Sequence, residues 1–200
     1  NLFVHGISSK NYSALLQSKD RPLINRATQG QYPPASTVKP HLALLGLEEG
    51  VITDETRMFD NGKYQLKNVS HIWRDWVPWG HCWVDVTNSI EQSCDYFFYD
   101  LAYRLGIDRI SDSMSQFGFG DYTGVDLYEE SDGNMPSRGW KRARFNQPWY
   151  IGDTISVGIG QSYWTATPLQ LAQSVTTLLN KGTRFVPQIL RGQQLGDEIT

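Results

Sequence analysis

A serine and a lysine stand three residues apart in the segment YPPASTVKP, at Ser36 and Lys39. Side chains three residues apart on a helix share one face and can contact each other. If such a pair is buried, desolvation favours the neutral lysine, and a neutral amine can accept the proton of the serine hydroxyl. The spacing therefore indicates a serine nucleophile with a lysine base, although it also fits a helix start with a solvated lysine.

The residues around this pair predict how it is presented. Pro33 and Pro34 favour an extended approach, because proline fixes its own φ and disfavours helix in the residue before it. Ser36 can then cap or open a helix whose apolar residues run to a stop at Gly50. We therefore expect Ser36 in the first turn of a buried helix.

Acyl transfer also requires a proton-relay group near the leaving amine and backbone donors for the oxyanion. The triplet SCD at Ser93–Asp95 offers a hydroxyl and a second polar side chain. On its own this triplet fits a helix cap better, since Ser and Asp are common capping residues. Its value as a relay depends on what accompanies it in the chain.

Two further patterns predict helices. Apolar residues recur at three- and four-residue steps between positions 85 and 106, with a break near Ser93. The segment TPLQLAQSVTTLLNKG (167–182) has a capping box, a proline at the first helical position and a glycine stop. Both patterns predict a predominantly helical chain.

The remaining segments are less regular. Residues 9–17 predict a short helix, and residues 51–84 predict a long ordered excursion with short strands or turns. Residues 121–160 predict a loop. Residues 185–190 predict the first strand of a further element.

Composition excludes some classes of protein. The chain has 200 residues with a formal net charge of −3, so it has no basic field, and nucleic acid is a poor candidate partner. A hydrophobic content of 40% is typical of a globular protein with a sizeable core. No apolar stretch approaches the ~18 residues of a transmembrane helix, and no signal peptide opens the chain. We expect a piece of a longer protein.

Four segments, taken together, are similar to a known protein family, although no single motif is specific enough to show it. They are NRATQGQYPPASTVKP (25–40), SIEQSCDYFFYDLAYRLGIDRI (89–110), FGFGDYTGVDL (117–127) and GDTISVGIGQSYWTATPLQLA (152–172). Together they resemble the transpeptidase domain of class B penicillin-binding proteins, and most closely its penicillin-binding protein 2 subfamily, which acts in cell elongation of Gram-negative rods. The segments follow the family's order through nearly the entire chain, so the joint match is far more specific than Ser-x-x-Lys alone.

The resemblance implies the α/β fold of serine DD-transpeptidases, which is related to that of serine β-lactamases. Residues 1–200 would be a single partial domain, the mainly α-helical lobe with the first two catalytic motifs. The family's third motif, Lys-Ser/Thr-Gly on a strand, does not occur here, and Lys181-Gly182-Thr183 has the residues in the wrong order. We expect catalysis from the intact protein, because the missing strand would bind the substrate carboxylate and donate one oxyanion N–H.

Carried onto this sequence, the resemblance implies that Ser36 is the acylated nucleophile and Lys39 its general base. Ser93 would relay the proton to the leaving amine. Asp95 stands where the broader superfamily has Asn, and we expect its carboxylate to accept a hydrogen bond from Lys39. A base must be readily neutralised, so we also expect Lys39 to be buried beside Ser36, Ser93 and Asp95.

The implied substrate is a peptidoglycan stem peptide ending in D-Ala-D-Ala. Ser36 would attack the penultimate D-Ala, expel the terminal one, and pass the acyl group to an amine of a neighbouring stem; β-lactams would acylate the same serine. Partners are expected among membrane proteins of cell elongation, at the periplasmic face of the inner membrane, with an anchor outside this chain. A serine β-lactamase and a non-catalytic scaffold or β-lactam sensor stay open as alternatives.

Cys94 lies inside the SCD triplet, and three interpretations of it stay open. It can be a buried free thiol, a disulfide partner of Cys82, or a metal ligand. A loop without its own core gains stability from a metal, and one thiolate, one imidazole and two carboxylates suit tetrahedral zinc. The resemblance favours a structural zinc that braces the second motif; catalysis itself needs no cofactor. The expected ligands are Asp60, Asp75, His81 and Cys94, with His71 and Cys82 as substitutes.

Overall fold

The described residues, 2–192, 194–195 and 198–199 of the computed structural model, contain nine α-helices and six short strands. The helices are α1 (Ser9–Leu16), α2 (Arg26–Gln29), α3 (Lys39–Glu48), α4 (Val86–Glu91), α5 (Asp95–Leu105), α6 (Ile107–Gln116), α7 (Arg138–Phe145), α8 (Ile151–Val157) and α9 (Pro168–Leu179). The strands are β1 (Met58–Asp60), β2 (Lys63–Tyr64), β3 (Trp73–Arg74), β4 (Cys82–Val84), β5 (Gln194–Leu195) and β6 (Glu198–Ile199). The prediction of a mainly helical chain is confirmed.

The strands pair two by two. β1 pairs with β4, β2 with β3, and β5 with β6, all antiparallel. The first two pairs lie in the irregular segment 51–84, as predicted, and bring its two ends together. None of the helices in the described part of the chain has the length and apolar character needed to cross a membrane.

Helix α5 lies at the centre of the core. Phe97 and Phe98 on it are fully buried, and α5 packs against both α3 and α8. Val38, just before α3, and Val157, at the end of α8, belong to the same buried cluster. Because burying a side chain of this size contributes about 1.5–3 kcal/mol, this cluster fixes α3 and α8 relative to the start of α5.

Helix boundaries follow the sequence signals closely. Ser93 has a left-handed φ of 54° and separates α4 from α5, as the break in the apolar pattern predicts. At the start of α9 the capping box is present: Thr167 Oγ1 accepts the N–H of Gln170 at 3.1 Å, and Gln170 Oε1 accepts the N–H of Thr167 at 2.8 Å. These local signals were sufficient because each depends only on neighbouring residues.

The prediction of a loop over residues 121–160 is wrong, because α7 and α8 lie within it. Helix α7 has a single buried residue, Lys141, and therefore no apolar stripe for a sequence pattern to detect. The Lys141 ammonium bonds to Asp153, whose carboxylate also accepts the N–H of Tyr150 at the start of α8. Tertiary contacts thus stabilise both helices where local propensity does not.

The strand predicted over residues 185–190 is also wrong. The N–H groups of Ile189 and Leu190 donate to the Asp126 carboxylate at 2.7 and 2.8 Å instead of to a neighbouring strand. The pair of short strands comes later, at β5 and β6.

Candidate active site

Ser36 is presented by a 3₁₀ turn, Ala35–Val38, that leads directly into α3. In a 3₁₀ turn side chains three residues apart are eclipsed, so Ser36 and Lys39 project on the same side. The Ser36 side chain is exposed, whereas Lys39 is 1% exposed. The predicted burial of Lys39 is confirmed.

All three donors of the Lys39 ammonium are engaged. Nζ lies 2.8 Å from the carbonyl oxygen of Ser93, 3.1 Å from Ser93 Oγ and 2.6 Å from Asp95 Oδ1. The predicted contacts with Ser93 and Asp95 are therefore present. The backbone N–H of Lys39 donates to the carbonyl oxygen of Ser36, but among the described residues no side-chain hydrogen bond joins Lys39 Nζ to Ser36 Oγ.

The hydroxyl of Ser93 bridges this gap. It lies 3.0 Å from Ser36 Oγ and 3.1 Å from Lys39 Nζ, so one hydroxyl connects the exposed serine to the buried lysine. A hydroxyl can donate and accept at once and can rotate to reverse both roles. The chain Ser36–Ser93–Lys39 can therefore carry a proton in either direction.

Asp95 is the last residue of this series of hydrogen bonds, at its buried end, where it accepts a hydrogen bond from Lys39. Burial raises the pKa of Asp95, and the hydrogen bond and positive charge of Lys39 offset only part of that effect. The side chain of Asp95 is 16% exposed and that of Lys39 is 2% exposed, so their ion pair is shielded from solvent. The carboxylate holds the lysine in place and balances its charge.

The turn that carries Ser93 is fixed by a residue far away in sequence. Asp75 Oδ2 accepts the N–H groups of Asp95 and Tyr96 at 2.6 and 2.9 Å, and so caps the N-terminus of α5. Carboxylates at this position are favourable because they satisfy free N–H groups and complement the helix dipole. No local sequence pattern predicts this cap, because the carboxylate comes from 20 residues upstream.

Asp75 also belongs to a second cluster, directly behind the Ser93 turn. The ligand atoms of its four members lie within 4.8 Å of one another, and the members are Asp60, Asp75, His81 and Cys94. His81 Nδ1 lies 2.8 Å from Asp60 Oδ2 and 3.6 Å from Asp75 Oδ1, and Cys94 Sγ lies 3.5 Å from Asp60 Oδ2. Side chains alternate along β1, so Asp60 lies on the same buried face as Met58 while Phe59 between them is exposed.

The chemistry of this donor set fits a divalent cation. Asp60 is fully buried and Asp75 is 6% exposed, and buried carboxylates are commonly paired with a positive charge or bound to a metal. Burial, with a smaller effect of Asp60 and Asp75, raises the pKa of the Cys94 thiol. One sulfur, one nitrogen and two carboxylate oxygens within 4.8 Å of one another form a ligand set that suits tetrahedral zinc.

The substitute ligands lie elsewhere. His71 packs edge-on against Trp73, with ring centroids 4.5 Å apart, and is not part of the cluster. Cys82 is exposed while Cys94 is buried, and both are free thiols, so the disulfide interpretation is wrong for this structure. The four ligands expected from the sequence are the four that converge.

The chain is similar to known proteins over most of its length. The family model described as the penicillin-binding protein transpeptidase domain matches residues 5–195. The peptidoglycan D,D-transpeptidase MrdA of Escherichia coli K12 is 58% identical over 190 residues, which is 95% of this chain and 30% of that protein. MrdA of Acinetobacter baumannii is 48% identical over 96% of this chain and 28% of its own length. The chain thus spans about 30% of the length of the curated relatives it matches.

Solved structures give the same result. Penicillin-binding protein 2 of Pseudomonas aeruginosa, in complex with WCK 5153, has a TM-score of 0.88 and 52% identity over 92% of this chain and 40% of that one. Penicillin-binding protein 2 of Helicobacter pylori, in complex with MreC, has a TM-score of 0.87 and 37% identity over 98% of this chain and 37% of that one. The turn with Ser36, the Ser93 hydroxyl and the buried Lys39 thus lie in a chain that belongs to the penicillin-binding protein transpeptidase family, on its penicillin-binding protein 2 branch.

Proposed function

We propose that the whole protein is a peptidoglycan DD-transpeptidase that cross-links stem peptides through an acyl-enzyme on Ser36. The observation that carries this proposal is the hydrogen-bond chain Ser36–Ser93–Lys39, which ends on Asp95. The MrdA relatives, 58% and 48% identical, are themselves named peptidoglycan D,D-transpeptidases, which supports the same reaction here.

Acylation begins with proton removal from Ser36. When Lys39 is neutral, the hydroxyl hydrogen bonds run from Ser36 to Ser93 and from Ser93 to Lys39, so the Ser36 proton passes to Ser93 while the Ser93 proton passes to Nζ. Ser36 Oγ then attacks the carbonyl carbon of the penultimate D-Ala. The C–O bond forms, and the carbonyl oxygen becomes an oxyanion that backbone N–H donors stabilise.

Collapse of this intermediate reverses the proton flow. The C–N bond to the terminal D-Ala breaks, and the leaving amine takes a proton from Ser93, which is replenished from Lys39. The amine of a second stem peptide then enters the same position, gives a proton to Ser93 and attacks the ester carbonyl. The bond between that carbon and Ser36 Oγ then breaks, Ser36 takes a proton back from Ser93, and the new amide cross-link is released. The exposed Ser36 meets the substrate, while the buried Lys39 stores the proton away from bulk water.

A labelled β-lactam tests the assignment in the full-length protein. We expect a stable adduct on Ser36, identified by peptide mass spectrometry, and no adduct in Ser36→Ala. Ser115→Ala, an exposed serine on α6, is the matched control and should label like the parent. Rapid release of hydrolysed β-lactam would favour a β-lactamase, and the absence of any adduct would favour a non-catalytic scaffold.

We further propose that the cluster Asp60, Asp75, His81 and Cys94 holds a structural zinc ion. The proposal is supported by four converging ligand atoms and by the burial of both carboxylates. When bound, the metal would neutralise the buried acids and tie the β1–β4 ribbon to the start of α5. Asp75 would use one carboxylate oxygen in the cluster and the other as the α5 cap.

Elemental analysis of the full-length protein, purified without chelator, tests the metal proposal. We expect about one zinc per chain in the parent and a large loss in Cys94→Ala. Cys82→Ala removes the other free thiol, which is exposed and outside the cluster, and should keep its zinc. A parent protein without zinc, or zinc retained in Cys94→Ala, would contradict the proposal.

We also propose that the protein works at the periplasmic face of the inner membrane, anchored by a segment outside this chain, with membrane proteins of cell elongation as partners. The Helicobacter pylori relative has been solved in complex with MreC, and a relative 33% identical belongs to a peptidoglycan synthase complex. Membrane fractionation and site-specific crosslinking in cells would test both parts. Recovery in the soluble cytoplasmic fraction would contradict them.

A further inference from the structure

The residue before the nucleophile has a backbone conformation that its side chain disfavours. Ala35 has a φ of 50°, in the left-handed region, and Ser36 follows directly. The Cβ of an L-residue crowds the carbonyl oxygen in this region, so only glycine adopts it freely. A contact from elsewhere in the fold must therefore hold Ala35 in this conformation.

That contact comes from Gly160. The N–H of Ala35 donates to the carbonyl oxygen of Gly160 at 2.9 Å. A Cβ added to Gly160 would lie 2.3 Å from the carbonyl oxygen and 2.6 Å from the nitrogen of Ala35. The backbone of Ala35 thus occupies the space that any side chain at position 160 would need.

The turn that contains Gly160 is itself anchored on α5. The N–H of Gly160 donates to Val157 at the end of α8, and Val157 is fully buried. A Cβ on Gly158 would lie 2.5 Å from the carbonyl oxygen of Phe98 and 2.6 Å from Cβ of Ala102, so this glycine lies directly on α5. Since α5 begins at Asp95, one turn connects the backbone before Ser36 to the helix whose first residue holds Lys39.

We propose that Gly160 is a positioning residue for Ser36. By accepting the Ala35 N–H and leaving room for its carbonyl group, Gly160 keeps Ala35 left-handed and directs Ser36 Oγ to within 3.0 Å of Ser93 Oγ. This inference rests on the proposed function, because it assigns Gly160 to the geometry of the acylation step. Gly160 contacts neither the reacting hydroxyl nor the relay, and acts through Ala35.

Two glycine-to-alanine variants of the full-length protein test the proposal. Gly160 has a φ of 66° and Gly50 has a φ of 64°, so alanine meets the same intrinsic backbone strain at both positions. An added Cβ at Gly50 has nothing within 4 Å, whereas at Gly160 it collides with Ala35. We expect Gly160→Ala to lower the β-lactam acylation rate constant by roughly 10–100-fold, with little change in the dissociation constant of the non-covalent complex. Gly50→Ala should acylate like the parent.

Rescue separates positioning from a general loss of structure. Glycine at position 35 tolerates a displaced backbone, so adding Ala35→Gly to Gly160→Ala should recover about tenfold in the acylation rate constant. If Gly160→Ala does not fold, substitutions at position 35 alone test whether acylation depends on the left-handed backbone conformation before Ser36. Ala35→Gly should acylate at close to the parent rate, and Ala35→Val should be at least about tenfold slower, because a β-branched residue resists positive φ.

The results that would overturn the role of Gly160 differ from those that would overturn the proposed function. If the parent forms no adduct on Ser36, the proposed function fails. If the parent acylates and a folded Gly160→Ala acylates equally fast, only the role of Gly160 is overturned. An equal loss in Gly50→Ala, a weaker non-covalent complex with an unchanged acylation rate constant, or equal rates for Ala35→Gly and Ala35→Val would also overturn it.

Discussion

Lys39 Nζ lies 2.6 Å from Asp95 Oδ1 and makes no direct hydrogen bond to Ser36 among the described residues. Lys39 is thus held by a carboxylate on one side, and the Ser93 hydroxyl connects it to Ser36 Oγ on the other. In the proposed mechanism the counter-charge places the lysine, while proton transfer depends on the separate hydroxyl of Ser93. These two dependencies can be tested one at a time.

Removal of the Asp95 carboxylate should destabilise the protein and also slow its acylation. Asp95→Ala leaves the Lys39 ammonium buried without its partner, and loss of one member of a buried pair costs about 3–5 kcal/mol. We expect a marked fall in the unfolding temperature of the full-length protein and a lower acylation rate. Asp95→Asn keeps an oxygen acceptor of the same shape and should lose less of both. An Asp95→Ala variant as stable as the parent would contradict the structural role of the pair.

Removal of the relay hydroxyl should slow acylation without unfolding the protein. Ser93→Ala keeps Ser36 and Lys39 but breaks the only side-chain path between them in the described structure. General acid–base steps contribute about 10²–10⁴-fold, and we expect a loss in this range in stopped-flow measurements with a chromogenic β-lactam. Ser115→Ala again serves as the control. Acylation within threefold of the parent in Ser93→Ala would mean that Lys39 takes the proton directly.

Asp75 should affect stability in two separable ways. In metal-depleted full-length protein, Asp75→Ala still removes the cap of α5, and such a loss costs about 0.5–2 kcal/mol. Cys94→Ala removes a ligand but no cap, so depletion should cancel most of its effect on the unfolding temperature. We expect the two variants to differ after chelation. Equal unfolding temperatures under that condition would contradict the capping role.

The burial of His41 predicts that the unfolding free energy depends on pH. It is 1% exposed on α3, and burial lowers its pKa, with the Ser174 backbone offsetting only part of the effect. Below a pH of about 6.5 the unfolded chain therefore binds a proton at His41 that the folded chain does not, so this residue lowers the unfolding free energy as the pH falls. The slope is at most about 1.4 kcal/mol per pH unit.

His41→Leu removes this contribution. Between pH 7 and pH 5 we expect the unfolding temperature of the full-length parent to fall relative to that of His41→Leu, while the other histidines affect both proteins alike. A constant difference across this range would show that His41 titrates normally in the folded state.

The parts of the fold that could be predicted are those specified by neighbouring residues. The capping box of Thr167 and Gln170 and the break at Ser93 depend on local geometry, and each was placed correctly. Helix α7 could not be predicted, because its one buried side chain is Lys141 and the ion partner of that lysine lies in α8. Charge pairs between elements leave no periodic pattern in the sequence.

The same distinction holds for the candidate site. The resemblance to a family brought Ser36, Lys39, Ser93 and the four cluster residues together, since spacing alone left every one of them ambiguous. The cap from Asp75 and the contact of Gly160 with Ala35 could not be predicted, because both join the backbone of one segment to a distant one. Gly160 lies in the segment 152–172 that carries part of the family resemblance, but nothing in the sequence indicates which turn this glycine approaches.

The two thiols differ in exposure, so their reactivity can report local opening of the structure. Cys82 is open to solvent, while Cys94 is 0% exposed, so a thiol-reactive dye should modify one site in the native state. The second site becomes reactive only when the start of α5 separates from the β1–β4 ribbon. Pulse alkylation with mass spectrometry would thus count how often the Ser93 turn opens, with no engineered probe.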